Sequence, residues 1–138
     1  MHYMLLIYEP ATEFDERQRP TEDPRWSPWR AYHRALVDAG IFAGGGPLER
    51  PDATATTVRV RGGERQVQDG PYAETKEQLG GFILLDLPNL DAALEWAARC
   101  PAAEYGTVEV RPLADLERIF GPNFGVPAWT KSLASSKA

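Results

Sequence analysis

The sequence predicts an α+β fold in which two amphipathic helices lie on one face of an antiparallel sheet, in the order β-α-β-hairpin-β-α-β. Short strand-like runs recur along the chain, at residues 3–8, 56–61, 82–87 and 107–111. Two segments between them carry apolar residues at helical spacing, one stripe each. A helix with a single stripe buries it against a single surface, so both helices must share one face of the sheet. The other face still offers apolar residues, and a monomer rarely leaves such a patch open, which argues for a homodimer.

Residues 3–8 (YMLLIY) form an apolar run with no helix cap and read as a buried central strand. Residues 9–25 are polar, hold three prolines, and read as a loop or a frayed helix. Ser27-Pro28 offers a cap followed by proline at the first helical position, and Gly40 offers a stop, so the first helix is expected over 28–39. Its stripe is Trp29, Tyr32, His33, Leu36 and Val37. A short strand is expected at 41–44, ended by Gly44-Gly45-Gly46-Pro47.

Residues 56–61 alternate, with Thr56, Val58 and Val60 on one face and Thr57, Arg59 and Arg61 on the other. Gly62-Gly63 turns the chain, and 65–68 pairs back as the second arm of a hairpin. After the strand at 82–87, Asn89 opens a helix whose inward residues are expected to be Leu90, Ala93, Leu94 and Ala97. Residues 107–111 supply the last strand, with Val108 and Val110 facing one way. Residues 113–120 suit a short amphipathic helix, 121–129 are rich in Pro and Gly and suit packing over a neighbouring subunit, and 131–138 are expected to be disordered. The domain is expected to span 1–112, with 113–138 as an extension.

Composition narrows the function classes. At 138 residues the chain suits one domain with a modest core, and its 43% hydrophobic and 25% charged residues are those of an ordinary globular protein. No run approaches a membrane span and no signal peptide is read at the start, so the cytoplasm is the expected location and no membrane partner is expected. A net charge of −5 argues against nucleic-acid binding, which rests on clustered Lys and Arg. Cys100 is the only cysteine, which excludes an internal disulfide. Together with His2 and His33 it matches no usual ligand spacing, so no metal and no other cofactor is expected. The glycines of 40–46 lack the GxGxxG and GK[ST] patterns of nucleotide sites.

The most informative stretch is DGPYAETKEQLGGF at residues 69–82. Gly70-Pro71 forces a turn, and Gly80-Gly81 permits a close backbone approach just before an apolar strand. A hairpin needs only two to five connecting residues. A longer connection is either a solubilising loop or one held out to bind something. This stretch resembles the signature of the DGPF subfamily of YCII-related proteins, DGPFAETKEQLGG, with Tyr72 where Phe is common. The opening MHYMLLIYEP, ATATTVRVR at 53–61, AALEWAA at 92–98 and YGTVEVRP at 105–112 fit the same family. The resemblance implies a ferredoxin-like βαββαβ domain, dimeric as an α+β barrel. It also implies a His/Asp pair in a cleft in some relatives, small-molecule lyase activity in one branch, and association with extracytoplasmic-function sigma factors.

Among residues that could carry chemistry, His33 is either a neutral core or rim histidine bonded to backbone, or a general base in a cleft between helix and sheet. The resemblance favours the second reading, since relatives place a histidine on this helix. Asp69 either accepts backbone hydrogen bonds inside its own turn or orients the His33 imidazole. Tyr72 either walls a pocket or packs back on the core, and Tyr32 adjoins His33 on the same stripe. Glu74, Lys76 and Glu77 form a solvated set in which Lys76 is best able to meet an anion. Cys100-Pro101 stands where YCII-related relatives often carry Asp-Pro, so a carboxylate of theirs is missing here. Arg59 and Arg61 are solvated strand arginines or anion ligands.

Two functions are expected. One is a small-molecule-binding protein or weak enzyme of His/Asp acid-base type, with a cleft between the first helix and the sheet. The other is a regulatory module that docks a sigma factor through residues 69–78 and the C-terminal extension.

Overall fold

The computed structural model describes residues 1–122. Strand β1 (His2–Pro10) alternates between buried and half-buried residues along its whole length. That is the pattern of a strand with one face on a core. The chain continues through α1 (Ala11–Glu16) to a 3₁₀ turn (Pro24–Trp26) that runs straight into α2 (Ser27–Asp38). Next come β2 (Phe42–Pro47), α3 (Pro51–Thr54), and the arms β3 (Thr56–Arg61) and β4 (Glu64–Asp69). The remainder is β5 (Glu77–Asp86), α4 (Leu90–Arg99), α5 (Ala102–Tyr105), β6 (Thr107–Pro112) and α6 (Leu116–Phe120).

Four strands form one antiparallel sheet in the order β2-β5-β1-β6. β1 and β2 flank β5 instead of pairing with each other, which is the split βαβ arrangement of a ferredoxin-like fold. The expected α+β, ferredoxin-like class is therefore the observed one. β3 and β4 pair only with each other, as a separate two-stranded arm inserted between β2 and β5.

Tyr3, Leu5 and Ile7 of β1 and Ile83 and Leu85 of β5 are buried, and the register sets Tyr3 against Leu85 and Leu5 against Ile83 on one face. Tyr32 and Leu36 of α2 and Ala93 and Ala97 of α4 close over that face. Small alanines let α4 lie close to the strands. Met4, Leu6, Tyr8, Phe82 and Leu84 occupy the intervening positions on the opposite face and are half-buried.

Several expectations need correction. β5 starts at Glu77 rather than 82, and β2 runs through Pro47 rather than stopping at 44, so both glycine clusters lie inside strands. Glycine there serves close approach: a Cβ on Gly45 (φ +138°) would sit 2.3 Å from the Phe82 carbonyl oxygen. Ser27 does not cap α2. The cap lies upstream, where Asp23 accepts from the Arg25 amide and starts the 3₁₀ turn that feeds the helix. Gly40 (φ +70°) does end α2, with Gly40 N–H on the Val37 carbonyl and Ile41 N–H on the Leu36 carbonyl, the Schellman pattern. Val37, Leu90 and Leu94, expected to face inward, are exposed because the alanines and Tyr32/Leu36 take the sheet contacts. Residues 9–25, expected as a loop or frayed helix, hold α1, whereas the short helix expected within 113–120 is found as α6, capped by Asp115. The expectations for 131–138 and for most of 121–129 lie outside the described residues.

Candidate functional site

The alternation that buries Tyr3, Leu5 and Ile7 continues to Glu9, so the strand itself carries a carboxylate to the helix-covered side. Glu9 is only 5% exposed. Its Oε2 is 3.2 Å from Arg17 Nη2, and its Oε1 accepts from the Tyr105 hydroxyl at 3.4 Å. Arg17, just past α1, also donates through Nη2 to the Gly80 carbonyl at 2.8 Å and through Nη1 to the Leu48 carbonyl. Phe14 backs the guanidinium, whose carbon lies 4.5 Å from the ring centre. One arginine thus joins β1, β5 and the end of β2.

Gly80 makes room for this arrangement. The β1–β5 register shifts between Ile7, paired with Gly81, and Tyr8, paired with Leu79, which leaves Gly80 as the extra residue of a bulge. A Cβ there would lie 2.9 Å from Glu9 Oε2 and 3.0 Å from Arg17 Nη2. The Gly-Gly pair therefore does permit close approach, and what approaches is an ion pair.

Glu9 and Arg17 border a cleft of about 1140 Å³ between α2 and the sheet. Ile7 and Ile83 contribute its apolar strand surface, and Trp29, Tyr32, His33 and Phe42 its aromatic surface. Trp29 meets Tyr32 edge-on at 6.4 Å. Burial, with the fields of Glu9 and Glu13 added, holds the Tyr105 hydroxyl well above the ordinary tyrosine range. Tyr32 is shifted the same way, chiefly by burial and then by Cys100, and it donates to the Trp96 carbonyl at 2.7 Å. Tyr32 lines the cleft while its hydroxyl is used inside the fold. Burial also pushes the Cys100 thiol up to about 11.

His33 lies on the cleft wall but is exposed, not turned into the core, with its ring edge-on to Phe42 at 4.9 Å. Asp69, Tyr72 and Lys76 are not among the residues lining that cleft. The reason is topological. The β3–β4 arm forms its own sheet and carries Asp69 at its end, opposite Thr56. The turn after it is held by Gly70 N–H on the Ala55 carbonyl and by the Thr57 hydroxyl on the Gly70 carbonyl, the work expected of the Asp69 carboxylate. Tyr72 is 77% exposed, its ring 5.0 Å from the Arg59 guanidinium carbon. Lys76 and Glu74 are exposed, and Glu77 accepts from the Thr107 hydroxyl at 2.7 Å. The structure thus brings His33 and Tyr32 to one cleft and leaves the other three candidates outside it.

Sequence reasoning missed Glu9, Arg17 and Tyr105. The signal for Glu9 was present: it is the fourth member of the inward set 3, 5, 7, 9. Nothing local marks Arg17 or Tyr105, which reach Glu9 from segments 8 and 96 residues away.

Among the described residues, no helix is long and apolar enough to cross a membrane. In comparisons with known proteins, a solved structure of 5-chloro-2-hydroxyhydroquinone dehydrochlorinase from Burkholderia phenoliruptrix AC1100, in complex with 2,5-dihydroxybenzoquinone, is 14% identical. It covers 86% of this chain and 98% of its own, with a TM-score of 0.48. The uncharacterized protein R00369 of Rhizobium meliloti (strain 1021) is 39% identical over 118 residues, 83% of this chain and 93% of its own length. The YCII-related domain model matches residues 1–117. With a match over most of its length and a relative of that identity, the chain belongs to the YCII-related family.

Proposed function

We propose that this YCII-related protein binds a small organic molecule in the cleft between α2 and the sheet and acts on it by acid-base chemistry. The observation that carries this reading is Glu9, a carboxylate buried beside a cavity of about 1140 Å³. Burying an ion pair is a poor way to stabilise a core, since apolar residues of similar volume commonly do as well or better. Titratable groups held in a cleft by specific partners are characteristic of functional sites.

Each residue has a distinct part. Glu9 is the proton acceptor, fixed by Arg17 and Tyr105 so that its oxygens keep one orientation. His33 stands exposed on the same cleft wall as a second acid-base group. Trp29 and Phe42 supply surface for an apolar body. Glu9 supplies the carboxylate of the proposed site, since it lines the cleft and Asp69 does not.

A thermal-shift screen of a metabolite collection tests the reading, because a ligand that binds only the folded form raises the unfolding midpoint, by about 2.7 kcal/mol of stability at a hundred times its Kd. The shift is expected to vanish in Trp29→Ala and to fall in Glu9→Gln. Hits that stabilise Trp29→Ala as strongly as the wild type would place the ligand elsewhere and overturn the proposal.

A further inference from the structure

The cations of the cleft wall are mostly spoken for. Arg17 is committed to Glu9 and two carbonyls, Arg19 to Glu16, and Arg25 to Asp23 and Glu16. Arg99 lies over the Trp96 ring at 4.0 Å. Three carboxylates on the same wall, Glu13, Glu49 and Glu104, form no ion pair among the described residues. Against these three carboxylates stands one wall arginine without an ion pair among the described residues, Arg99, so the wall carries more uncompensated negative than positive charge.

Aromatic surface is the second, independent observation. The rings of Trp29 and Tyr105 border the same space, and an aromatic face attracts a cation through its quadrupole. The wall already shows this preference, since the Arg19 guanidinium carbon sits 4.9 Å from the centre of the Trp26 ring.

We infer that the cleft selects an organic cation, an amine or quaternary ammonium on an apolar body, with the charge met by Glu13 and Glu104 and the body by Trp29. The inference rests on the proposal that the cleft is the ligand site, and adds the ligand's class. A metal ion is a poor alternative, because no group of three or more His, Cys, Asp or Glu among the described residues could hold one. An anionic ligand would meet the field of Glu13, which adds to burial in disfavouring a negative charge on Tyr105. The net charge of −5 adds a long-range bias in the same direction.

The test uses three probes of one shape on the full chain: phenethylamine, 2-phenylethanol and phenylacetate. Thermal-shift titration is expected to rank the amine first and the carboxylate last. The amine's affinity should fall about fivefold in Glu13→Gln/Glu104→Gln, a pair whose partly exposed charges are moderately screened. It should also fall as salt is raised. Because Trp29→Ala could itself disturb folding, the Trp29 indole N–H resonance in the unaltered protein gives a second localisation, and it should move with the amine. If 2-phenylethanol or phenylacetate binds as well as the amine while moving that resonance, the cation class is overturned and the cleft stands. If no probe shifts the midpoint, or if binding leaves the resonance unmoved, the inference fails, and the second result counts against the cleft as well.

Discussion

Gly45 lies against Phe82 so closely that the strand pair β2–β5 has no room for a side chain at that position: a Cβ would come within 2.3 Å of the Phe82 carbonyl oxygen and 2.9 Å of the Ile83 Cα. Its neighbour Gly46 would meet nothing within 4 Å. Gly45→Ala should therefore cost about 2–3 kcal/mol, combining overpacking against backbone with a φ of +138°. Gly46→Ala should stay within about 0.5 kcal/mol of the wild type. Urea unfolding of the two variants checks the contrast, and equal stabilities would contradict the β2–β5 register.

Arg17→Met leaves the Glu9 carboxylate buried without its counter-charge. Removing one partner of a fully buried pair costs about 3–5 kcal/mol, and since the Arg17 side chain is 25% exposed a loss nearer 2–3 kcal/mol is expected. Glu9→Gln/Arg17→Met should recover part of that loss, because no orphaned charge remains. A double variant less stable than Arg17→Met alone would show that Glu9 contributes more than its pairing.

Tyr32 and His33 adjoin in sequence but should differ in how much stability their replacement costs. Tyr32→Phe strands the Trp96 carbonyl and should cost about 1–2 kcal/mol while keeping the ring. His33→Ala removes an exposed ring with one aromatic edge contact and should cost under about 1 kcal/mol. Chemical denaturation decides, and a large loss for His33→Ala would mark it as structural and remove it from the site.

The Cys100 thiol, raised from an ordinary 9.0 to about 11 by burial, favours the fold in its protonated form. Its contribution is fully present below about pH 9 and is lost as pH rises toward about 11, by up to about 3 kcal/mol. Stability curves of wild type and Cys100→Ala should run parallel below pH 9, with the wild type losing ground above it. A thiol reagent at pH 8 should also react much more slowly with the folded than with the unfolded protein. Rapid labelling of the folded protein would show that the cleft opens at Cys100.

The half-covered sheet face of Met4, Leu6, Tyr8, Phe82 and Leu84 is the expected dimer surface. Light scattering at micromolar concentration should give a dimer mass, and Leu84→Glu should shift it toward monomer. A monomer mass for the wild type at high concentration would refute the expectation.

The helices and strands that form the sheet were legible in the sequence, because one apolar stripe or one alternating face suffices to show each. The strand ends at 47 and 77 were not, since glycine clusters read as breaks, whereas here a glycine admits a neighbouring strand or an ion pair. The cleft was legible only where it coincided with the α2 stripe, through Tyr32 and His33. Asp69, Tyr72 and Lys76 share the informative stretch with Gly80 and Gly81 but lie outside the cleft. Adjacency along the chain says little once an inserted arm takes part of that stretch away from the cleft.

The mouth of that insertion has a consequence for how freely it can change. Leu48 N–H donates to the Gly80 carbonyl at 2.8 Å, and the Arg17 guanidinium bonds the carbonyls of both residues. Chain leaving β2 and chain entering β5 are thus fastened together at one point. Everything between is, to the core, a single loop whose closure entropy grows only with the logarithm of its length. Residues can be gained or lost in the arm at a cost of a few tenths of a kcal/mol, provided the clasp is kept. Length differences between relatives should therefore collect in the β3–β4 arm and spare the positions of Arg17, Leu48 and Gly80.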